Sequence, residues 1–125
     1  MAKFIAEVRH GYFANPTPVE KLIAVGFSNG AKLEDGEIFE ATNALLVHVT
    51  TDDKQYDTVV FICPDMVRYT SSDAVKSQIE NIADAVSDNN QIDAVAYEFI
   101  TRTRQSKSNA SRRYMTIALK GVIEK

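Results

Sequence analysis

The sequence predicts a single α+β domain: a mostly antiparallel sheet carrying two helices on one face, in a ferredoxin-like β-α-β-β-α-β order with an additional C-terminal strand. Three observations predict it. Segments with apolar residues at every second position stand near both ends of the chain and in its middle. Two segments have helical spacing behind recognisable caps. The last two alternating segments flank one polar stretch, which makes them the strands of a long hairpin. With 125 residues, 45% apolar and 25% charged, and only three prolines and five glycines, the chain can bury one core and shows no linker. Residues 1–125 are therefore read as one domain.

Ala2 to Arg9 alternates, with Phe4, Ala6 and Val8 on one face and Lys3, Glu7 and Arg9 on the other, and Ile5 breaking the pattern. His10 to Pro16 reads as a loop. Thr17-Pro18-Val19-Glu20 is the strongest local signal: threonine at the cap, proline in the first turn and glutamate close behind mark a helix start. Val19, Leu22, Ile23, Gly26 and Phe27 then form its stripe, and Ser28-Asn29-Gly30 stops it. Between Gly36 and Thr51 a helical turn over Glu37 to Leu46 competes with a strand. The strand is preferred because β-branched residues gather towards Thr50 and Thr51. Asp52 to Gln55 is a turn, and Thr58 to Cys63 a second strand paired with the first and ended by Pro64.

Ser72-Asp73 caps a second helix with the stripe Val75, Ile79, Ile82, Ala83 and Val86, ended by Asp88-Asn89-Asn90. The eight apolar residues Val19, Leu22, Ile23, Phe27, Val75, Ile79, Ile82 and Val86 are expected to pack together on one face of the sheet. Ile92 to Thr103 places Val95, Tyr97, Phe99 and Thr101 on one side, and Tyr114 to Ile123 mirrors it with Met115, Ile117, Leu119 and Ile123.

Several chemistries are excluded or reduced. No apolar run approaches the ~20 residues of a membrane helix, and the N-terminus lacks the pattern of a signal peptide. A single cysteine, Cys63, cannot form an internal disulfide, and a cytoplasmic location is expected. The glycines and lysine of Gly26 to Lys32 are not spaced as a P-loop, and there is no Cys/His cluster for zinc. Asp52, Asp53 and Asp57 lack the glycine and glutamate of a calcium loop. No cofactor or metal is expected.

Val8-Arg9-His10-Gly11 resembles the strand end of the histidine phosphatase superfamily, where the histidine takes the phosphoryl group and the arginine neutralises it. Tyr56 to Pro64 followed by Arg68 is loosely similar to that family's second arginine segment, Ser-Pro-Leu-x-Arg. The resemblance would make His10 a nucleophile. The chain departs from the family in its Pro64-to-Arg68 spacing, in having no second histidine late in the sequence, and in ending with a hairpin. His48-Val49-Thr50 has the form of one 2H-phosphoesterase motif, but that chemistry needs two. The sequence assigns no catalytic residue, and Arg9 and His10 are expected to be non-catalytic.

Charge is where the chain is uneven. The total is −3, yet residues 101–114 contain Arg102, Arg104, Lys107, Arg112 and Arg113 and no acid, a window of +5 that leaves −8 for the remainder. On a hairpin, Arg102 and Arg104 share a strand face, Lys107 sits near the tip and Arg112 and Arg113 begin the return strand. Arginine forks suit phosphates and carboxylates. The expectation is a non-enzymatic binding or assembly domain whose basic hairpin, about 101–114, engages an anionic partner. That partner is the acidic surface of a neighbouring copy in a homo-oligomer, or nucleic acid or a nucleotide. A self-assembling subunit of a ring or virion-like complex is the related alternative.

Overall fold

Eight strands and two helices build two sheets in the computed structural model, which describes residues 4–88, 94–105 and 113–124. Strand β1 (Phe4–Gly11) is followed by α1 (Pro18–Val25), a 3₁₀ turn over Phe27–Asn29, and β2 (Ala31–Lys32). Then come β3 (Ile38–Ala41), β4 (Asn43–Thr51), β5 (Gln55–Ile62), β6 (Arg68–Thr70) and α2 (Asp73–Asp88). Strands β7 (Ala94–Gln105) and β8 (Arg113–Glu124) complete the order. The larger sheet runs β1-β4-β5-β6-β2 and the smaller β3-β7-β8, and every described pairing except β2 with β6 is antiparallel.

The protein is therefore mixed α+β with mostly antiparallel sheets, as the sequence predicts, but its strand order is not the ferredoxin-like one. A single residue, Thr42, separates β3 from β4. That link is too short for a hairpin, so the two strands go to different sheets. The crossing is held by Asn43, only 1% exposed. Its side-chain oxygen accepts from the Phe13 and Ala44 amides, and its amide donates to the Ala14 carbonyl. A buried amide satisfied three ways stabilises a chain crossing that periodicity cannot reveal.

The two helices also lie on opposite faces of the larger sheet, not on one. Val75 and Ile79 of α2 pack with Ala44, Val59 and Phe61 on one face, together with Phe39, Tyr97, Phe99 and Ile117 of the smaller sheet. Ala24 of α1 and Phe27 pack with Leu45, Val47, Val49 and Val60 on the other. The alternation along β4 separates the two sets, because successive side chains point to opposite faces. Buried on both sides over Asn43 to Val47 and Thr58 to Phe61, β4 and β5 read there in sequence as largely apolar runs.

The expected stripe of α2 holds: Val75, Ile79 and Ala83 are buried, and Ile82 and Val86 pack at the margin. That of α1 fails, since Val19 is 64% and Leu22 73% exposed, and Ile23 is also exposed. The small Ala24 lets the helix approach the sheet, and the bulk is supplied by Phe27 from the following 3₁₀ turn, against Tyr69. In the hairpin, an irregularity at Val95 and another at Lys120 shift the register. Val95 and Ile123 therefore turn outward while Val122 joins the core.

Candidate functional site

The β7–β8 hairpin carries the basic residues. Each strand is twelve residues long, roughly 37 Å at ~3.4 Å per residue. Strand β3 pairs with β7 only from Tyr97 to Ile100. Beyond that, the acidic loop Glu34–Glu37 grips β7. The Gly36 amide donates to the Thr101 carbonyl and the Thr101 amide to the Glu37 carbonyl, each at 3.0 Å. The buried Thr101 hydroxyl donates to the Glu34 carbonyl and accepts from the Glu37 amide, and the Thr103 amide donates to Asp35 Oδ1. The root of the arm is thus clamped, while its outer part continues as the pairing of β7 with β8.

Register places the arginines. Arg102 lies opposite Thr116 and Arg104 opposite Tyr114, so these four share one face. Arg113 lies opposite Gln105 and belongs to the other face. The ribbon is therefore basic on both faces, not on one. Arg102, Arg104 and Arg113 are exposed, and none of them forms an ion pair with another described residue. Lys107 and Arg112 lie outside the described residues. At the arm's root, Arg102 and Arg104 border an open groove of about 450 Å³ with Asp35, Gly36 and Thr103. Asp35 in that groove disfavours a free phosphate there.

A second polar cluster joins His48 and Asp57, which the sequence singles out only separately, with Gln55 and Lys76. His48 Nδ1 lies 2.9 Å from Asp57 Oδ1 and its Nε2 3.1 Å from Gln55 Oε1. Lys76 donates to Asp57 Oδ2 at 2.9 Å. The hydrogen bonds from His48 and Lys76 hold the Asp57 carboxyl below the usual carboxylate range, and donating to Asp57 raises the pKa of Lys76. The cluster ties β4, β5 and α2 together, with both ring nitrogens and both carboxylate oxygens already engaged. Half of it was legible: the turn at Asp52–Asp53, closed by the Thr51 amide on the Lys54 carbonyl, puts residues 48 and 57 opposite each other. Lys76 arrives only with the tertiary fold.

The phosphatase-like residues do not converge. Arg9 is the extra residue of a bulge in β1 and pairs with Glu7 at 3.3 Å. His10 packs edge-on against Tyr12. Gly11 is required for packing, since a Cβ there would lie 2.1 Å from the Ala14 carbonyl oxygen. Arg68 stands three strands away in the sheet, roughly 14 Å by strand spacing. It is held in a bidentate pair with Asp65 and by Glu37 at 2.8 Å. The guanidinium beside it drives the Asp65 carboxyl far below its ordinary value. Tyr12 Oη is buried without a hydrogen-bond partner among the described residues, and burial, reinforced by the Glu80 and Asp57 charges, pushes its pKa up. No group of three or more acidic, histidine or cysteine side chains among the described residues is placed to hold a metal. No described helix is long and apolar enough to cross a membrane.

No protein-family model, curated protein or solved structure matches the chain.

Proposed function

We propose that the protein is a non-enzymatic binding and assembly subunit whose basic hairpin engages an anionic partner, the acidic body of a neighbouring copy before all others. One observation carries this reading: arginines project from both faces of a ribbon clamped at its root, and among the described residues no acid is paired to them. The body meanwhile exposes a line of carboxylates on α2, Glu80, Asp84 and Asp88, each one turn beyond the last. A +5 arm and a −8 body are complementary between copies of one chain.

The test replaces Arg102, Arg104, Arg112 and Arg113 together by serine and measures mass by light scattering at low salt, with and without a single-stranded oligonucleotide. The reading expects the variant to lose the higher assemblies of the parent while its melting temperature holds, since exposed charges usually contribute within ~0.5 kcal/mol to folding. If the parent binds the oligonucleotide, and log affinity falls against log salt with a slope the four changes flatten by ~3 to 4, the partner is nucleic acid instead. A variant that keeps both its mass and every ligand of the parent overturns the proposal.

A further inference from the structure

Helix α2 faces two ways. Gln78 is turned to the smaller sheet, where its Oε1 accepts from the Ile117 amide. At 3.6 residues per turn, Glu80 and Asp84 lie roughly 200° and 240° round the helix from Gln78, on the side away from β8. There they line an open groove of about 380 Å³ with Ala83 and with His10, Gly11 and Tyr12, at and just beyond the end of β1.

The groove has the chemistry of a seat for a flat cation. Glu80 and Asp84 are exposed, and neither forms an ion pair with a described residue. Lys76, one turn before Glu80, donates to Asp57 instead. The His10 and Tyr12 rings meet edge-on in the same groove, their centroids 4.9 Å apart. Tyr12 Oη has no hydrogen-bond partner among the described residues, and the Glu80 charge acts on it. A guanidinium pairs with carboxylates through its fork and lies flat on an aromatic ring, which a compact, strongly hydrated ammonium does less well.

The arm has the matching spacing. Arg102 and Arg104 share one face of β7, two residues or roughly 7 Å apart. Glu80 and Asp84 stand four residues apart on α2, a rise of roughly 6 Å. A strand face laid along the helix brings two forks to two carboxylates at once, whereas a small cation fills one and a polyanion is repelled. Within one chain α2 stands between the two, because its opposite side holds β8 through Ser72 on Met115 and Gln78 on Ile117. The groove is therefore open to the arm of another copy.

We infer, on the footing of the arm's proposed role, that this groove between α2 and the end of β1 is where a second copy's arm docks. Arg102 and Arg104 of one copy pair with Glu80 and Asp84 of the other.

The experiment is a charge swap at low salt, read by sedimentation equilibrium. One variant carries Glu80→Arg/Asp84→Arg and the other Arg102→Glu/Arg104→Glu, all at exposed positions, with circular dichroism checking the fold of each. Each alone should associate at least about tenfold more weakly than the parent, since attraction becomes repulsion. Their equimolar mixture should recover association, because the first keeps the basic arm and the second keeps the acidic groove. Independently of any variant, the amide resonances of His10 to Tyr12 and of Asp84 should shift together with those of Arg102 and Arg104 as the parent is concentrated. An arm variant that keeps the parent's mass overturns the arm's proposed role itself, and a parent of single-chain mass at every concentration overturns both. An arm variant that dissociates while the groove variant does not leaves that role standing and overturns this docking site. A mixture that fails to recover, or groove resonances indifferent to concentration, overturns the docking site in the same way.

Discussion

The two helices carry opposite kinds of information. Helix α1 has a complete capping box: the Glu20 amide donates to Thr17 Oγ1, and Glu20 Oε1 accepts from the Thr17 amide. Yet of its eight residues only Ala24 is buried. Helix α2 is capped by Ser72 Oγ, which accepts from the Val75 amide at 3.3 Å, and it buries Val75, Ile79 and Ala83 between the two sheets. A helix can thus be clear in sequence because its ends are satisfied locally, or because its face is needed by the core. The first kind says where a helix starts and little about what it touches. The second says what it touches.

Three substitutions bear on that contrast. The largest effect belongs to Ile79, fully buried in α2 against the sheets. Ile79→Ala removes three methyl or methylene groups from a packed site and should cost ~2 to 5 kcal/mol in urea unfolding. A loss under ~1 kcal/mol would mean that α2 is not a core helix.

The middle effect belongs to the cluster that ties α2 to the sheet. Asp57→Asn should cost about 1 kcal/mol near neutral pH, the scale of a half-exposed ion pair with two hydrogen bonds. The sign follows from the lowered carboxyl. Its contribution is fully present above the unfolded carboxylate value, ~3.9, and is lost as the pH falls through the folded one. Parent and variant should therefore converge as unfolding is measured at progressively lower pH. A gap that stays constant into the acid range would show that the carboxylate is not what holds α2 to His48.

The smallest effect belongs to α1. In dilute protein, below the range where copies associate, Leu22→Gln should change stability by less than ~0.5 kcal/mol, because the side chain is 73% exposed. A cost approaching that of Ile79→Ala would mean that the apolar face of α1 is covered within its own chain.

What the sequence determined by itself were features whose cause lies within a few residues. The Thr17 cap, the stripe of α2, the turn at Asp52–Asp53 and the long alternating hairpin all appear where periodicity and capping put them. So does the concentration of arginine on β7 and β8. The tertiary structure decided everything that depends on a partner distant in sequence. Thr42 sends β3 and β4 to different sheets, and the helices go to opposite faces because β4 is apolar on both. The irregularities at Arg9, Val95 and Lys120 each flip the phase of a strand, so the inward residue becomes Val122 and not Ile123. Likewise, Arg113 falls on the opposite face from Arg102 and Arg104 only once the pairing of Gln105 with Arg113 is made. Alternation within a strand is a property of the backbone and is readable anywhere. Which strand lies alongside, and in what register, is settled by side chains that meet only after the chain has closed its long loops.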